Sequence, residues 1–264
     1  MEPLLVASKL DTAGYNMARY MTQNHGFTQQ ENDTYVNETA MLFVGDGESL
    51  TMEWLDSRFS PSYYVFLSRH RSESGMPTLT CHTTGNFSPS TEMGGRPKEL
   101  AYAYPSLQKH YMKTISNEIS RVPDYQLVIE ATHHGPTSLI KPILFIEIGS
   151  TEKQWNDQHV VSVVCDAVMQ TLKSVKTNGN VGIGLGGTHY PSKFTNMLID
   201  SRYALASVAS KHSLVNLDKA MIEQMINKSV ETVEYAFMDW KGLGKEKERL
   251  NSIVTGLGLK VMKL

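Results

Sequence analysis

The chain has 264 residues, a length that one large domain accommodates. Hydrophobic residues make up 41% and charged residues 20%, which excludes a disordered or fibrous chain. Lys and Arg number 25 against 27 Asp and Glu, so the net charge of −2 gives no global basic excess that would indicate a nucleic-acid partner. The two cysteines, Cys81 and Cys165, are too few for a disulfide framework, and we expect a cytoplasmic protein.

The first third of the chain predicts a strand, a helix and two further strands. Residues 1–8 form a short apolar run that lacks the basic flank of an export signal, and we predict a first strand there. Apolar residues at helical spacing predict a helix over Thr12–Asn24. Short apolar runs at 40–44 and 63–67 predict buried strands. No apolar run approaches the roughly 20 residues of a bilayer span, so we predict no membrane segment.

A long loop region is predicted over residues 68–105, because glycine and proline punctuate it throughout. Loops of this length often carry function. Beyond it, strands predicted at 126–131, 143–148, 180–185 and 233–239 alternate with helices, which is typical of an α/β sheet.

The longest predicted helix starts at Thr151, where Thr151 and Gln154 can form a capping box. Apolar residues from Val160 to Val175 then form one stripe that faces the sheet. The charged run at 245–249 predicts a solvated helix face.

Five histidines lie in Gly-, Thr-, Ser- and Pro-rich segments near predicted strand ends: His70, His82, His133, His134 and His189. In open α/β sheets, ligands bind in the crevice beyond the carboxyl ends of the strands, so these side chains are candidates to converge.

The predicted strand at 126–131 runs directly into a His-His pair. Alternation along a strand places Glu130, Thr132 and His134 on one face and His133 on the other. One interpretation is that both histidines are turn residues bonded to the backbone. The other is that they belong to an active site.

Glu147 interrupts an otherwise apolar strand, and Glu130 poses the same problem on its own strand. A buried carboxylate must be paired, hydrogen-bonded, protonated or metal-bound. If the two strands are neighbours, their carboxylates and the nearby histidines suit one or two Zn²⁺ ions or metal-free acid–base chemistry. The alternative is a structural ion pair with Arg or Lys.

Other segments add binding candidates. Arg69 and Arg71 flank His70 and can hold an anion such as a phosphate. Cys81 is expected to be a small buried side chain. The GxGxxG pattern at 182–187, with Asp200 at a tolerable distance, is a weak dinucleotide signal. We prefer the interpretation that its glycines let the backbone approach a substrate and direct Thr188 and His189 into the crevice.

Taken together, these motifs resemble the D-aminoacyl-tRNA deacylase family of archaea and plants. The segments that carry the resemblance span almost the whole chain: SRH at 68–70, CHTTGN at 81–86, EATHHGPT at 130–137, FIEIGSTEKQW at 145–155, GLGGTHYP at 184–191 and FMDWKGL at 237–243. Two departures from the family pattern, Cys81 for Thr and Thr188 for Gly, remove no candidate functional side chain.

The resemblance implies one domain over residues 1–264, with a three-layer α/β/α fold and a mixed central sheet, similar to phosphorylase/hydrolase-like and peptidyl-tRNA hydrolase folds. It implies zinc dependence, with up to two Zn²⁺ per subunit. It also implies hydrolysis of the ester between a D-amino acid and the 3′ end of tRNA, which serves chiral proofreading and D-amino acid detoxification. We expect a monomer.

The candidate residues fall into three groups. The catalytic candidates are His134, His133, Glu130, Thr132 and His189. The substrate-binding candidates are Arg69, His70, Gly186, Gly187 and Thr188. The metal-ligand candidates are His70, His82, His134, Glu147 and His189.

The chemistry of these groups suggests a mechanism. His134, with Glu130 or Glu147, would activate a water, and backbone amides of residues 186–188 or of His133 would stabilise the oxyanion. Cations at 69, 71 and 241–249 would receive the terminal phosphates of tRNA. The alternative enzyme is a zinc-dependent exopeptidase or amidohydrolase that acts on small peptides. A nucleotide- or RNA-binding module with purely structural histidines is the alternative outside enzymes.

Overall fold

The protein is described by a computed structural model that covers residues 2–264. The β-strands are β1 (Leu4–Ser8), β2 (Thr28–Glu31), β3 (Thr34–Val36), β4 (Met41–Gly45), β5 (Tyr64–Arg71), β6 (Thr78–His82), β7 (Gln126–Ile129), β8 (Ile143–Ser150), β9 (Val181–Leu185), β10 (Ala204–Ala209), β11 (Val233–Met238) and β12 (Lys260–Lys263). The α-helices are α1 (Thr12–Asn24), α2 (Pro105–Glu118), α3 (Glu152–Trp155), α4 (Gln158–Ser174), α5 (Ser192–Asp200), α6 (Lys219–Asn227) and α7 (Lys247–Gly256).

The strands form two sheets. The larger has the order β2-β3-β4-β1-β5-β8-β6-β7 and is mixed, because β6 runs antiparallel to β8 while β1, β4, β5 and β8 are parallel. The smaller sheet, β10-β9-β11-β12, is entirely parallel. The predicted α/β fold with a mixed sheet is confirmed. Alternation of elements did not reveal that the last third of the chain forms a sheet of its own.

The two faces of the larger sheet have different surroundings. On one face, Leu144, Ile146 and Ile148 of β8 pack into a core with apolar residues of α1, α2 and α4. On the other face, Phe145 of β8 stacks on Phe66 of β5 at a ring distance of 4.5 Å. Because side chains alternate along a strand, Glu147 lies on this second face, away from the three helices.

The element boundaries agree with the sequence prediction most closely at α1. Asp11 caps this helix, since its side chain accepts a hydrogen bond from the Gly14 amide at 2.8 Å. The predicted helix from Thr151 is instead two helices. The capping box of Thr151 and Gln154 starts the short α3, and Asp157 then caps α4.

Part of the predicted loop at 68–105 is ordered strand. β5 continues to Arg71, and β6 lies wholly within the segment, with all five of its residues buried. Cys81, in β6, and Cys165, in α4, are free and buried; free thiols were predicted for both and burial for Cys81. Across residues 2–264, none of the helices is long and apolar enough to cross a membrane.

Candidate active site

The candidate residues meet on the second face of the larger sheet. Glu147 of β8 pairs in register with Ser68 of β5 on one side and with Thr80 of β6 on the other. His70 follows Ser68 by two positions, and His82 follows Thr80 by two positions. Because side chains alternate along a strand, both histidines lie on the same face as Glu147. Because β6 is antiparallel to β8, His82 lies level with Phe145 and not beyond the edge of the sheet. The site is therefore built across the sheet face as well as at strand ends.

The site is a cluster of histidine and glutamate side chains: His70, His82, Glu130, His133, His134, Glu147 and His189. Glu130 lies at its centre, directly after β7. It is 2% exposed, and its Oε2 lies 2.8 Å from Nε2 of His189 and 3.7 Å from Nε2 of His133. Its Oε1 lies 3.1 Å from Nδ1 of His70, although without hydrogen-bonding geometry. The partners of this buried carboxylate are histidines, so it does not form the structural pair with Arg or Lys that was the alternative.

Glu147 is also buried, and it shares one of these histidines, His70, with Glu130. Its Oε2 is 3.5 Å from Nδ1 of His70, and its Oε1 is 3.6 Å from Nε2 of His82. Among residues 2–264, neither His82 Nε2 nor Glu130 Oε1 has a hydrogen-bond partner. Leaving a buried polar atom unsatisfied costs free energy, so His82 Nε2 indicates a position where a further group would bind, whereas Glu130 Oε1 has the charge of His70 beside it.

The His-His pair belongs to this cluster. The ring of His82 lies 4.3 Å from that of His133 and 4.7 Å from that of His134. The Nδ1 atoms of His133 and His134 lie 2.9 and 2.6 Å from the carbonyls of Ala131 and Gly135. His134 has a φ of +46°, which histidine tolerates better than most residues. Both histidines are thus bonded to the backbone, and these bonds fix their rings within the cluster.

The histidines of the cluster differ in charge, because their surroundings shift their pKa values in opposite directions. Burial is the largest influence on the pKa of His70 and lowers it, but the contacts with Glu130 and Glu147 raise the net pKa to about 10. Burial and the neighbouring His82 lower the pKa of His133 to about 3. His70 is therefore a cation at neutral pH, while His133 is neutral and keeps a lone pair.

The other pKa shifts have the same two causes. Burial and the neighbouring histidines hold the pKa of His134 well below its ordinary value. The pKa of His82 is raised, because Glu147 and Glu130 outweigh its burial. Burial would raise the pKa of Glu130, yet its contacts with His189 and His70 hold it well below the usual range. Glu130 is thus an ionised acceptor.

A cavity of about 410 Å³ opens onto the cluster and brings together eight predicted residues: Arg69, His70, Arg71, Glu130, His133, His134, Glu147 and His189. Arg69 Nη1 donates to the Leu10 carbonyl at 2.8 Å, which holds this cation at the rim. Arg71 is exposed. The cavity thus joins the histidine–carboxylate cluster to the side chains of two predicted arginines.

Tyr190 and Asp11 are among the residues of the cavity that sequence reasoning missed. The Tyr190 hydroxyl lies 3.0 Å from Nε2 of His70, across 120 residues of chain. The one feature of the sequence that pointed to Tyr190 was its position directly after His189. Asp11 is a helix cap, and it also accepts hydrogen bonds from the Ser68 hydroxyl and the Arg69 amide, both at 2.9 Å.

The glycine-rich loop and Thr132 serve to position other groups. Gly186 and Gly187 have φ values of +101° and +79°, as glycine allows. The Gly186 amide donates to the Ala209 carbonyl, so it offers no free donor for an oxyanion. Gly187 and Thr188 line a separate cavity. The Thr132 hydroxyl accepts a hydrogen bond from the Val208 amide at 3.1 Å.

The cations at 241–249 are only partly available to a polyanion. The guanidinium of Arg249 donates to the carbonyls of Leu214 and Leu217, which commits it to packing. Lys247 lies over the Trp240 ring at 5.1 Å. Lys241 and Lys245 are exposed.

The donor atoms of the cluster suit a metal ion. They form three groups in which one ligand atom from each residue lies within 4.8 Å of the others: His82, His133 and His134; Glu130, His133 and His189; and His70, Glu130 and Glu147. Imidazole nitrogens and carboxylate oxygens are ligands that Zn²⁺ takes in proteins. Nε2 of His82, which has no hydrogen-bond partner among the described residues, is an atom that a cation would satisfy.

Comparison with known proteins finds relatives over nearly the whole chain. The family model described as D-aminoacyl-tRNA deacylase matches residues 57–262. The D-aminoacyl-tRNA deacylase of Cenarchaeum symbiosum is 39% identical over 98% of both chains, and that of Pyrococcus furiosus is 30% identical over 98% of this chain and 99% of its own. The crystal structure of a conserved protein of unknown function superimposes with a TM-score of 0.92 at 27% identity, covering 99% of this chain and 95% of that one. The chain belongs to the D-aminoacyl-tRNA deacylase family.

Proposed function

We propose that this protein hydrolyses the ester bond of D-aminoacyl-tRNA and releases the free D-amino acid and tRNA. Family membership supports the reaction, and the contact of the buried Glu130 carboxylate with His189 carries the assignment of the site. This pair lies at the wall of a cavity of about 410 Å³ whose rim carries Arg69 and Arg71. A carboxylate that orients a histidine beside a substrate cavity is an arrangement that activates a nucleophile.

His189 is the base in this proposal. Its Nε2 is held by Glu130, and 39% of its side chain is exposed, whereas His134 is 5% exposed. Glu130 thereby fixes the ring of His189 and stabilises the cation that forms when His189 takes a proton from water. This assignment replaces His134 as the residue that activates the water.

The reaction needs one water and balances without a further co-reactant. The water oxygen bonds to the acyl carbon, and one of its protons passes to His189. The bond between the acyl carbon and the 3′ oxygen then breaks. The 3′ oxygen leaves with a proton, and Tyr190 is the donor we assign to it, because its hydroxyl lies at the cavity wall and contacts the cationic His70. The proton on His189 then passes through solvent to the Tyr190 oxygen, which restores both residues.

Zinc is part of the proposal. We assign it to His82, His133 and His134, a set of three imidazoles that leaves Glu130 and His189 available for proton transfer. An ion on the group of His70, Glu130 and Glu147 would occupy the carboxylate that orients His189 and the imidazole that holds Tyr190, so the proposal uses one ion. When bound, zinc would polarise the acyl carbonyl and lower the pKa of a coordinated water.

The deciding experiment compares D-tyrosyl-tRNA with L-tyrosyl-tRNA, each with and without a chelator. We expect the protein to release D-tyrosine, to leave the L-ester intact, and to slow after chelation. Equal rates on the two esters would overturn the chiral assignment, and full activity after exhaustive metal removal would overturn the role of zinc. Cleavage of small peptides with no activity on either ester would favour the exopeptidase or amidohydrolase alternative.

A further inference from the structure

A second cavity of about 570 Å³ adjoins the site and shares His70 and Tyr190 with it. Its floor continues the face of the larger sheet that carries the site. In register across the strands, His70 of β5 pairs with Gly149 of β8, Gly149 with Thr78 of β6, and Thr78 with Gln126 of β7. A Cβ on Gly149 would lie 2.6 Å from the His70 ring, so only glycine leaves room for that ring in its present position.

The neighbouring row of the same face connects this cavity to the carboxylates. Glu147 pairs with Thr80, and Thr80 pairs with Val128, which lines the second cavity. A substrate group bound there would therefore lie on the same surface as the reacting centre, directly past the His70–Tyr190 pair. The helix α5 closes the other side with Thr195 and Asn196.

The linings of the two cavities differ in charge. The catalytic cavity is lined by the four carboxylates of Asp11, Glu48, Glu130 and Glu147 and by two guanidinium groups at its rim, whereas His70 is the one ionisable group in the lining of the second cavity besides the Tyr190 phenol. The two ends of an aminoacyl ester differ in the same way. The α-amino group is a base that carries a proton near neutral pH, while the nucleoside that bears the ester is neutral.

We infer that the second cavity is the subsite for the terminal adenosine of tRNA, an inference that rests on the proposed function. Its volume lies within the roughly 300–1,000 Å³ typical of sites for drug-sized ligands, which suits a nucleoside better than one amino-acid side chain. Met76 and Val128 supply apolar contact for the faces of the base. Gln126 and Asn196 supply the amide groups that recognise the edge of adenine.

The first test measures binding without catalysis. Adenosine 5′-monophosphate is titrated calorimetrically into the wild-type protein and into Val128→Phe, whose ring extends into the cavity. We expect at least about tenfold weaker binding in the variant, the range for losing one packed base. The matched control is Val230→Phe, since Val230 is 50% exposed and outside both cavities, and it should bind as the wild type does. No binding to the wild type would overturn the inference.

The second test uses the D-tyrosyl ester of adenosine and D-tyrosine methyl ester, which differ only in the leaving alcohol. We expect Val128→Phe to lower the ratio of kcat/KM for the adenosine ester over the methyl ester by about tenfold or more. Asn196→Ala, on the exposed surface of α5, should lower the same ratio.

Two outcomes of this second test would overturn the inference. An unchanged ratio would do so. So would a change in the preference for D-tyrosyl over D-alanyl esters that is the same for both alcohols, because that would place the acyl side chain in the cavity. Failure of the proposed function gives a different result, since the wild type would then leave D-tyrosyl-tRNA intact whether or not it binds the nucleotide.

Discussion

Glu130 and His189 come from different sheets, yet the Glu130 carboxylate lies 2.8 Å from the His189 imidazole. Glu130 follows β7 of the larger sheet, and His189 follows β9 of the smaller one. The carboxylate is 2% exposed, while the imidazole reaches the cavity. The protein interior thus fixes Glu130, and His189, which Glu130 orients, is the residue that faces the substrate.

The first prediction concerns this pair. Glu130→Gln keeps the shape of the side chain but removes the charge that orients His189, and we expect single-turnover release of D-tyrosine to fall by about 10²-fold or more. Glu234→Gln is the matched control, because Glu234 pairs with Lys260 on the surface. A rate within a few-fold of the wild type in Glu130→Gln, with an unchanged circular dichroism spectrum, would remove Glu130 from the mechanism.

The second prediction concerns zinc. His134→Asn keeps a residue type that tolerates the φ of +46° but shortens the side chain, so we expect less zinc to remain bound per chain after dialysis against a zinc buffer. His159→Asn is the control, since His159 lies on α4 and contacts the Arg121 carbonyl. Mass spectrometry of bound metal gives the result. Equal zinc in both variants would contradict the assignment of His134 as a ligand.

The third prediction concerns the stability of the metal-stripped protein. The pKa of His70 rises from an ordinary 6.5 to about 10 on folding, so the folded state holds this proton more tightly than the unfolded state. The resulting stabilisation is complete below about pH 6.5 and is lost as the pH rises through 10. We expect urea titrations to give a free energy of unfolding that falls over this window. The fall should be smaller in His70→Gln, and an equal slope in both proteins would show that His70 is not the group responsible.

The fourth prediction concerns Tyr190. Tyr190→Phe keeps the ring that separates the two cavities and removes the hydroxyl that lies 3.0 Å from His70 Nε2. If this hydroxyl supplies the proton to the leaving oxygen, kcat should fall by about tenfold or more while KM changes little. Tyr102→Phe, at an exposed tyrosine outside both cavities, is the control. A change confined to KM would instead assign Tyr190 to binding alone.

The fifth prediction concerns the rim cations. Arg71→Ala should weaken binding of deacylated tRNA and reduce the slope of log K against log salt by about one, as expected for the loss of one phosphate contact. Arg202→Ala, also on the surface but outside the cavity, should leave the slope unchanged. Filter binding over a series of salt concentrations measures both values. An identical slope in the two variants would exclude Arg71 from phosphate contact.

Local patterns in the sequence predicted much of the fold. Helix α1 has the predicted boundaries, because its apolar spacing and the capping residue Asp11 act within a few residues of one another. The division after Trp155 was missed, since Asp157 competes with the capping box of Thr151 as a helix start. β6 was missed because its five residues are buried by strands that are distant in sequence, and glycine and proline around it obscured the pattern.

Within the site, residue chemistry was predictable and pairing was not. A carboxylate inside an apolar strand already indicated that Glu147 needs partners, whatever the fold. The importance of Tyr190 depends on His70, which is 120 residues away, and no local pattern contains that contact. The expectation for the Gly186 amide as an oxyanion donor failed for the same reason, because its acceptor on Ala209 comes from a neighbouring strand.

The junction of the two sheets makes catalysis a property of the whole chain. The Ala131 amide donates to the His189 carbonyl at 2.8 Å, and Thr132 exchanges two hydrogen bonds with Val208. These bonds align the segment that carries Glu130 with the loop that carries His189. Loosening of β9 or β10 would separate the two residues even while the larger sheet stayed folded. Deacylation rates should therefore decline at lower denaturant concentrations than the secondary structure of the larger sheet does, which makes enzymatic activity a sensitive reporter of how firmly the smaller sheet is docked.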